Sequence, residues 1–172
     1  MKLFKVLNTN RILFLNMWNL FSLILILLIF SIDRFSKIKV LSDLNNSYFV
    51  NEYINLDLIW NTGIGFGLLS FDSLIIYNII TSFIFLVILA LFYIAITSKK
   101  FDKLVYSIII GGALGNIYDR LYYNAVPDFI DLHYENLHWF VFNVADIFIT
   151  LGVIFMILFE LINKNKEIHE QI

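Results

Sequence analysis

Four stretches of this chain, at about residues 12–32, 74–96, 104–122 and 142–161, stay apolar for the roughly 20 residues that a helix needs to cross a hydrocarbon core. Within such a core the backbone must satisfy its own hydrogen bonds, which leaves the helix as the form these blocks can take. A 60% hydrophobic content and a mean hydropathy of +0.81 fit that reading. The expectation is a mainly α membrane protein, a four-transmembrane-helix bundle forming a single domain over residues 1–172. The first block follows Lys2, Lys5 and Arg11, as a signal peptide would. Its apolar stretch is too long for one, and no small-residue cleavage site follows, so it is expected to remain as a span.

Basic residues orient the bundle. Putting both termini and the 99–103 turn on one side gathers Lys2, Lys5, Arg11, Lys99, Lys100, Lys103, Lys164 and Lys166 there, against Arg34, Lys37, Lys39 and Arg120 opposite. Eight against four places both termini in the cytoplasm and the two longer connections, about 33–73 and 123–141, outside. Trp60 and Trp139 fall in those connections, where interfacial anchors belong. Ile54, Leu56 and Leu58 alternate with Asn55 and Asp57, which predicts a half-buried strand and a small extracytoplasmic β-rich element on the membrane surface.

The chain has no cysteine, so disulfides, thiolate metal sites and cysteine nucleophiles are excluded. His133 and His138 lie outside any familiar metal spacing and are expected to be solvated or interfacial, with Asp131 and Glu135 on a polar outer rim.

The residues an apolar bundle would avoid are concentrated between Gly111 and Asp146, where ionisable groups are costly unless they face a polar cavity. Gly111 and Gly115 form a small-residue face for close helix approach, while Gly112, Asn116 and Arg120 follow one track to the outer end. Asp119 points about 100° away from Arg120 around the helix. Pro127 biases Val126 toward extended backbone and places Asp128 beyond the helix, on an irregular or extended segment. Asn143, Asp146 and Thr150 share a face of the last helix, and Asp128 is the candidate partner for Asp146. Asp33 and Lys37, four apart, can pair if the first helix continues outward. Gly63, Gly65 and Gly67, after Asn61, mark a loop that exposes backbone for close approach. Asn16 and Asn19 read as interhelical glue. Tyr77, Asn78, Thr81 and Ser82 read as ordinary packing polars without a catalytic role.

Five motifs, taken together and in order, resemble the bacterial lipoprotein signal peptidases, the signal peptidase II family of membrane aspartyl peptidases. They are Asp33-x-x-Ser36-Lys37, Asn61-x-Gly63-x-Gly65-Phe66, Gly111-Gly112-Ala113-Leu114-Gly115-Asn116-x-x-Asp119-Arg120, Val126-Pro127-Asp128-Phe129-Ile130 and Phe142-Asn143-x-Ala145-Asp146. The resemblance implies a catalytic pair at Asp128 and Asp146. It puts Asn61, Gly63, Asn116, Arg120 and Asn143 around the substrate, Asp33 and Lys37 as supports, and Asp119 as the residue that orients Arg120. Asp119 is also the rival for the first catalytic carboxylate. This chain has Arg34 where the family usually has Gln, and Gly65 where it has Ala or Ser.

What the resemblance implies chemically is peptide hydrolysis by two carboxyls that share one proton, one activating water and the other polarising the scissile carbonyl. Its substrate would be a prolipoprotein with a lipid-modified cysteine just after the cut, received from the bilayer at the outer face of the bacterial inner membrane. Membrane lipid is the expected environment of a monomer that uses no metal or cofactor and binds no nucleic acid. The rival readings are a proton- or ion-coupled transporter using Asp146 and Asp128, a Ser–Lys hydrolase at Ser36-Lys37 or Ser98-Lys99, and a structural membrane protein.

Overall fold

The computed structural model describes residues 16–43, 47–63, 74–135 and 137–170. Lys2, Lys5, Arg11, Gly65, Phe66 and Gly67, on which parts of the sequence reading fall, lie outside the described residues.

Four helices and one small sheet follow each other as α1 (Met17–Asp43), β1 (Tyr48–Asn51), β2 (Ile54–Asn61), α2 (Leu74–Thr97), α3 (Lys100–Tyr123), β3 (Val126–Tyr134), β4 (Leu137–Phe142) and α4 (Val144–Glu170). Asn16 starts α1 by accepting the Trp18 N–H on its side chain, 3.1 Å. The helix runs well past Ile32 and so carries Asp33, Arg34 and Lys37 as buried residues of one continuous element. Among the described residues two helices, Leu74–Thr97 and Val144–Ile162, are long and apolar enough to cross a membrane on that criterion alone. Buried charges break the apolar run in α1 and α3.

Helix α3 is central and packs on all three other helices. Its glycines permit the approach. A Cβ on Gly111 would sit 2.8 Å from Ile29 Cβ on α1, and one on Gly112 would sit 2.6 Å from the Ala145 carbonyl oxygen on α4. The core beneath the polar end is Ile26, Ile88, Ala95, Ile110 and Ile117, from α1, α2 and α3. Outward faces of the helices leave Leu20, Ile24, Leu27, Phe83, Leu86 and Ile154 uncovered, the pattern of helices whose solvent is hydrocarbon. A Cβ at Gly112 has backbone as its obstacle, and backbone cannot rotate away. Gly112→Ala is therefore expected to separate α3 from α4 and cost about 1–3 kcal/mol, read as a lower unfolding midpoint in detergent.

At the far end of the bundle Lys103, buried in α3, donates to Asn19 Oδ1 at 2.5 Å and to the Ile96 carbonyl at 2.7 Å. It thereby ties α1 to the C-terminus of α2, where the helix dipole favours a cation. Asn19 is an interhelical contact in this sense, and Asn16 a cap.

Asn124 ends α3 in the left-handed conformation, φ 56°, and Pro127 prevents resumption of the helix. The chain enters a four-stranded antiparallel sheet, ordered β1-β2-β3-β4, so of the irregular or extended segment expected around Asp128 the extended form is what is found. Strand β3 is central and mostly buried on both faces. Strand β2 is half-buried over Ile54–Leu58, without the in-out alternation its sequence implies. Trp60 and Trp139 are exposed on the sheet. Asp131 is buried, not on an outer rim, and accepts from His138 at 2.6 Å; His133 is buried as well, its ring stacked on that of His138. The closed surroundings of β3 are the reason.

Candidate active site

Asn143 is the N-cap of α4. Its Oδ1 accepts the Asp146 N–H at 3.1 Å, and its own N–H donates to Asp146 Oδ2 at 3.2 Å, a reciprocal capping box with Asp in the acidic position. The cap fixes the rotamer of Asp146 and leaves the Asn143 amide nitrogen to reach Asp128 Oδ1 at 2.5 Å. One residue thus holds both carboxylates, one from the sheet and one from the last helix.

Each carboxylate has a second amide. Asn61, at the end of β2, donates to Asp128 Oδ2 at 2.8 Å, and Asn116 of α3 donates to Asp146 Oδ1 at 2.8 Å. Asn61 Oδ1 accepts the Gly63 N–H at 2.8 Å, and the Gly63 carbonyl accepts from Arg120 Nη2 at 2.8 Å. Register places Asn61 beside Val126 and Ile59 beside Asp128, so pairing of β2 with β3 delivers the amide to the acid.

Behind this row lies a buried ionic layer. Lys37 Nζ donates to Asp33 Oδ2 at 2.9 Å, Asn116 Oδ1 at 2.8 Å and Asp119 Oδ2 at 2.7 Å, which uses all three of its N–H groups. Asp33 Oδ1 accepts the Ala145 N–H at 3.0 Å, satisfying one orphan donor at the start of α4. Arg34 pairs with the remaining oxygen of Asp119 and lies 4.6 Å from the centre of the Tyr118 ring. The departure from the family's Gln therefore adds a second cation to Asp119. Gly115 leaves room for the Asp33 carboxyl, whose Cγ would be 2.9 Å from a Cβ there.

Two expectations change. Asp119 does not orient Arg120; it serves Arg34 and Lys37, because the rotation about α3 turns it toward α1 while Arg120 turns toward Gly63 and α2. Among the described residues Asp119 meets two cations, whereas Asp128 and Asp146 accept only from neutral amide and backbone N–H groups. The Ser–Lys alternatives fail on geometry: Ser36 Oγ donates to the Asp33 carbonyl and Ser98 Oγ to that of Ile94, while Lys37 is held by acids.

All seven charged members of the network are at most 9% exposed, four acids (Asp33, Asp119, Asp128, Asp146) against three bases (Arg34, Lys37, Arg120). A single proton on one acid makes the layer neutral, the state that a low-dielectric site favours. Burial, and then the nearby Asp146 charge, push Asp128 up from 3.8 to about 6, while the amides of Asn61 and Asn143 pull it down. Between these two values the folded protein keeps a proton that the unfolded chain has released. Asp128 therefore contributes stability that is full below pH 3.8 and lost as pH rises through about 6.

Beside Asp146 a cavity of about 210 Å3 opens between α2, α3 and α4, with Asn116, Arg120 and Asp146 as polar lining and Ile84, Ala113 and Ile149 as apolar wall. Tyr77 of α2, expected from the sequence to be an ordinary packing polar, stands against the arginine of this cavity. It is 3% exposed, and its ring centre is 5.7 Å from the Arg120 guanidinium carbon. The capping box was readable as Asn-x-x-Asp ahead of an apolar run; nothing in the sequence pointed to Tyr77.

Two buried carboxyls held by one asparagine thus lie next to a polar-lined cavity in a helical bundle. The family model for signal peptidase (SPase) II matches residues 25–162, and the chain belongs to that family. It is 46% identical over 154 residues to the lipoprotein signal peptidase of Pelagibacter ubique, covering 87% of this chain and 93% of the relative. The lipoprotein signal peptidase of Anaplasma phagocytophilum is 38% identical over 86% of this chain and 96% of its own length; that of Thermodesulfovibrio yellowstonii is 42% identical over 79% and 89%. Two solved bacterial membrane enzyme structures superpose with TM-scores of 0.71 and 0.66 at 28% and 29% identity. They cover 84% and 81% of this chain and 90% and 92% of theirs. The transporter alternative finds no support among these matches.

Proposed function

We propose that this chain removes signal peptides from diacylglyceryl-modified prolipoproteins as an aspartic endopeptidase, with Asp128 and Asp146 as its catalytic pair. The observation that carries the reading is Asn143, whose backbone N–H and side-chain amide engage the two buried carboxylates together. In the mechanism, the ionised member removes a proton from water as it attacks the scissile carbonyl, and the protonated member hydrogen-bonds the carbonyl oxygen. The proton then passes to the departing amine. The pair titrates as a unit, so either acid can hold the proton at a given step. Arg120 and Asn116 line the cavity where the peptide lies, and Asn61 and Asn143 keep Asp128 from rising further. The lipid chains rest against the apolar hollow between α2 and α3, lined by Phe85, Leu86, Ile117 and Leu121.

In this reading all four helices cross the bacterial inner membrane, both termini are cytoplasmic and the sheet lies at the outer face. A monomer suffices, and the two carboxyls supply both acid and base without metal or cofactor. The test is cleavage by the purified protein, in nanodiscs, of one precursor peptide with and without its diacylglyceryl group. Cleavage confined to the lipidated form supports the reading; equal cleavage of both, or none, overturns it.

Asn61→Ala supplies an independent check on the protonation scheme. Loss of an amide that favours the ionised form raises Asp128 further, so the alkaline limb of kcat/KM is expected to move to higher pH. A limb that stays in place or moves down contradicts the scheme.

A further inference from the structure

Arg120 is 5% exposed, and Nη2 alone of its nitrogens is engaged, on the Gly63 carbonyl; Nε and Nη1 are sealed from solvent and have no hydrogen-bond partner among the described residues. A buried guanidinium with half its fork unused needs an explanation, and this one lines the cavity beside Asp146. Behind it, on α2, are Tyr77 and Thr81, 3% and 6% exposed and one helical turn apart. The Tyr77 hydroxyl has the Arg120 guanidinium and the Thr81 hydroxyl as its polar neighbours. The Tyr77 ring lies 5.7 Å from Arg120 Cζ, within the range of a cation–π contact.

We propose that Tyr77, supported by Thr81, is a positioning residue for the reaction: it backs the Arg120 guanidinium and fixes the plane in which that group lines the cavity beside Asp146, where the peptide lies. The inference rests on the peptidase reading above and adds α2 to the working parts of the site. Anchored at one end by Gly63 and on one side by an aromatic ring, the guanidinium has a fixed plane before substrate arrives. A guanidinium fixed in this way presents its charge to the cavity without first being ordered. The bond to Gly63 also links the arrangement through Asn61 to Asp128, so a shift of Arg120 is felt at the catalytic acid.

The test compares Tyr77→Phe, Tyr77→Leu, Arg120→Lys and the double variants on the lipidated precursor peptide, with unfolding midpoints measured in parallel. Tyr77→Leu removes the ring face and is expected to lower kcat/KM on the order of tenfold, with Tyr77→Phe closer to the parent enzyme. In the Arg120→Lys background, already impaired, Tyr77→Leu should have little further effect, because the group it positions is gone. A Tyr77→Leu enzyme of parental activity overturns the proposal. So does a loss that multiplies fully with Arg120→Lys, or one that follows a fallen unfolding midpoint and returns when the midpoint is restored by lipid. An Arg120→Lys enzyme of full activity also overturns it, without touching the dyad, whose own test is loss of cleavage in the aspartate variants.

Discussion

Asp128→Asn and Asp146→Asn are each expected to lower turnover of a lipidated prolipoprotein by about 10⁴-fold or more, the scale seen when one member of a coupled catalytic set is removed. Each acid accepts an amide or backbone N–H on both oxygens, and an asparagine can accept on only one. That loss is offset by relief from burying a charge, so both variants are expected to remain folded and to keep their place in the membrane. In the proposed mechanism the two acids act on one water, so the double variant should be no worse than either single one. Cleavage assays with quantified folded protein check this. Substantial activity in folded Asp128→Asn would remove the pair as the source of chemistry and bring Asp119 forward in its place.

The second large effect lies behind the site. Lys37→Met leaves Asp33 and Asp119 buried without the ammonium that neutralises them, and frees Asn116 from one of its two anchors. Removing one partner of a buried ion set costs about 3–5 kcal/mol, because the other charge stays in place. The variant should unfold at markedly lower temperature in detergent. Its residual activity should fall as well, since Asn116 also holds Asp146. Adding Asp119→Asn to Lys37→Met is expected to restore part of the stability, because it removes one of the stranded charges. An unchanged midpoint in Lys37→Met would mean that the ionic layer is not what joins α1 to α3.

Most of the site was legible because its residues sit at fixed helical spacings. Asp33 and Lys37 pair four apart on α1, Asn143 and Asp146 cap α4, and Gly111, Gly112 and Gly115 mark where α3 meets its neighbours. What the sequence hid depends on which way a side chain turns between elements. Asp119 and Arg120 are adjacent, yet α3 directs one to α1 and the other to Gly63. Tyr77 looked like a packing residue because its partner lies 43 positions away on another helix. The sheet was visible only at β2. Strand β3 is largely buried on both faces and β2 pairs with it through a register shift between Leu56 and Ile59, so the two-residue period that reveals a strand is missing.

The central claim, that Asp128 and Asp146 feel each other's charge across one shared proton, is tested most directly by titrating the Asp128 carboxyl carbon by NMR in nanodiscs, with residue 146 as Asp and as Asn. The account predicts a midpoint near pH 6 in the parent protein, since burial and the Asp146 charge both raise it, and a lower midpoint in Asp146→Asn, where the second cause is gone. A midpoint near 3.8 in the parent, or one that does not move when the charge at 146 is removed, would contradict it.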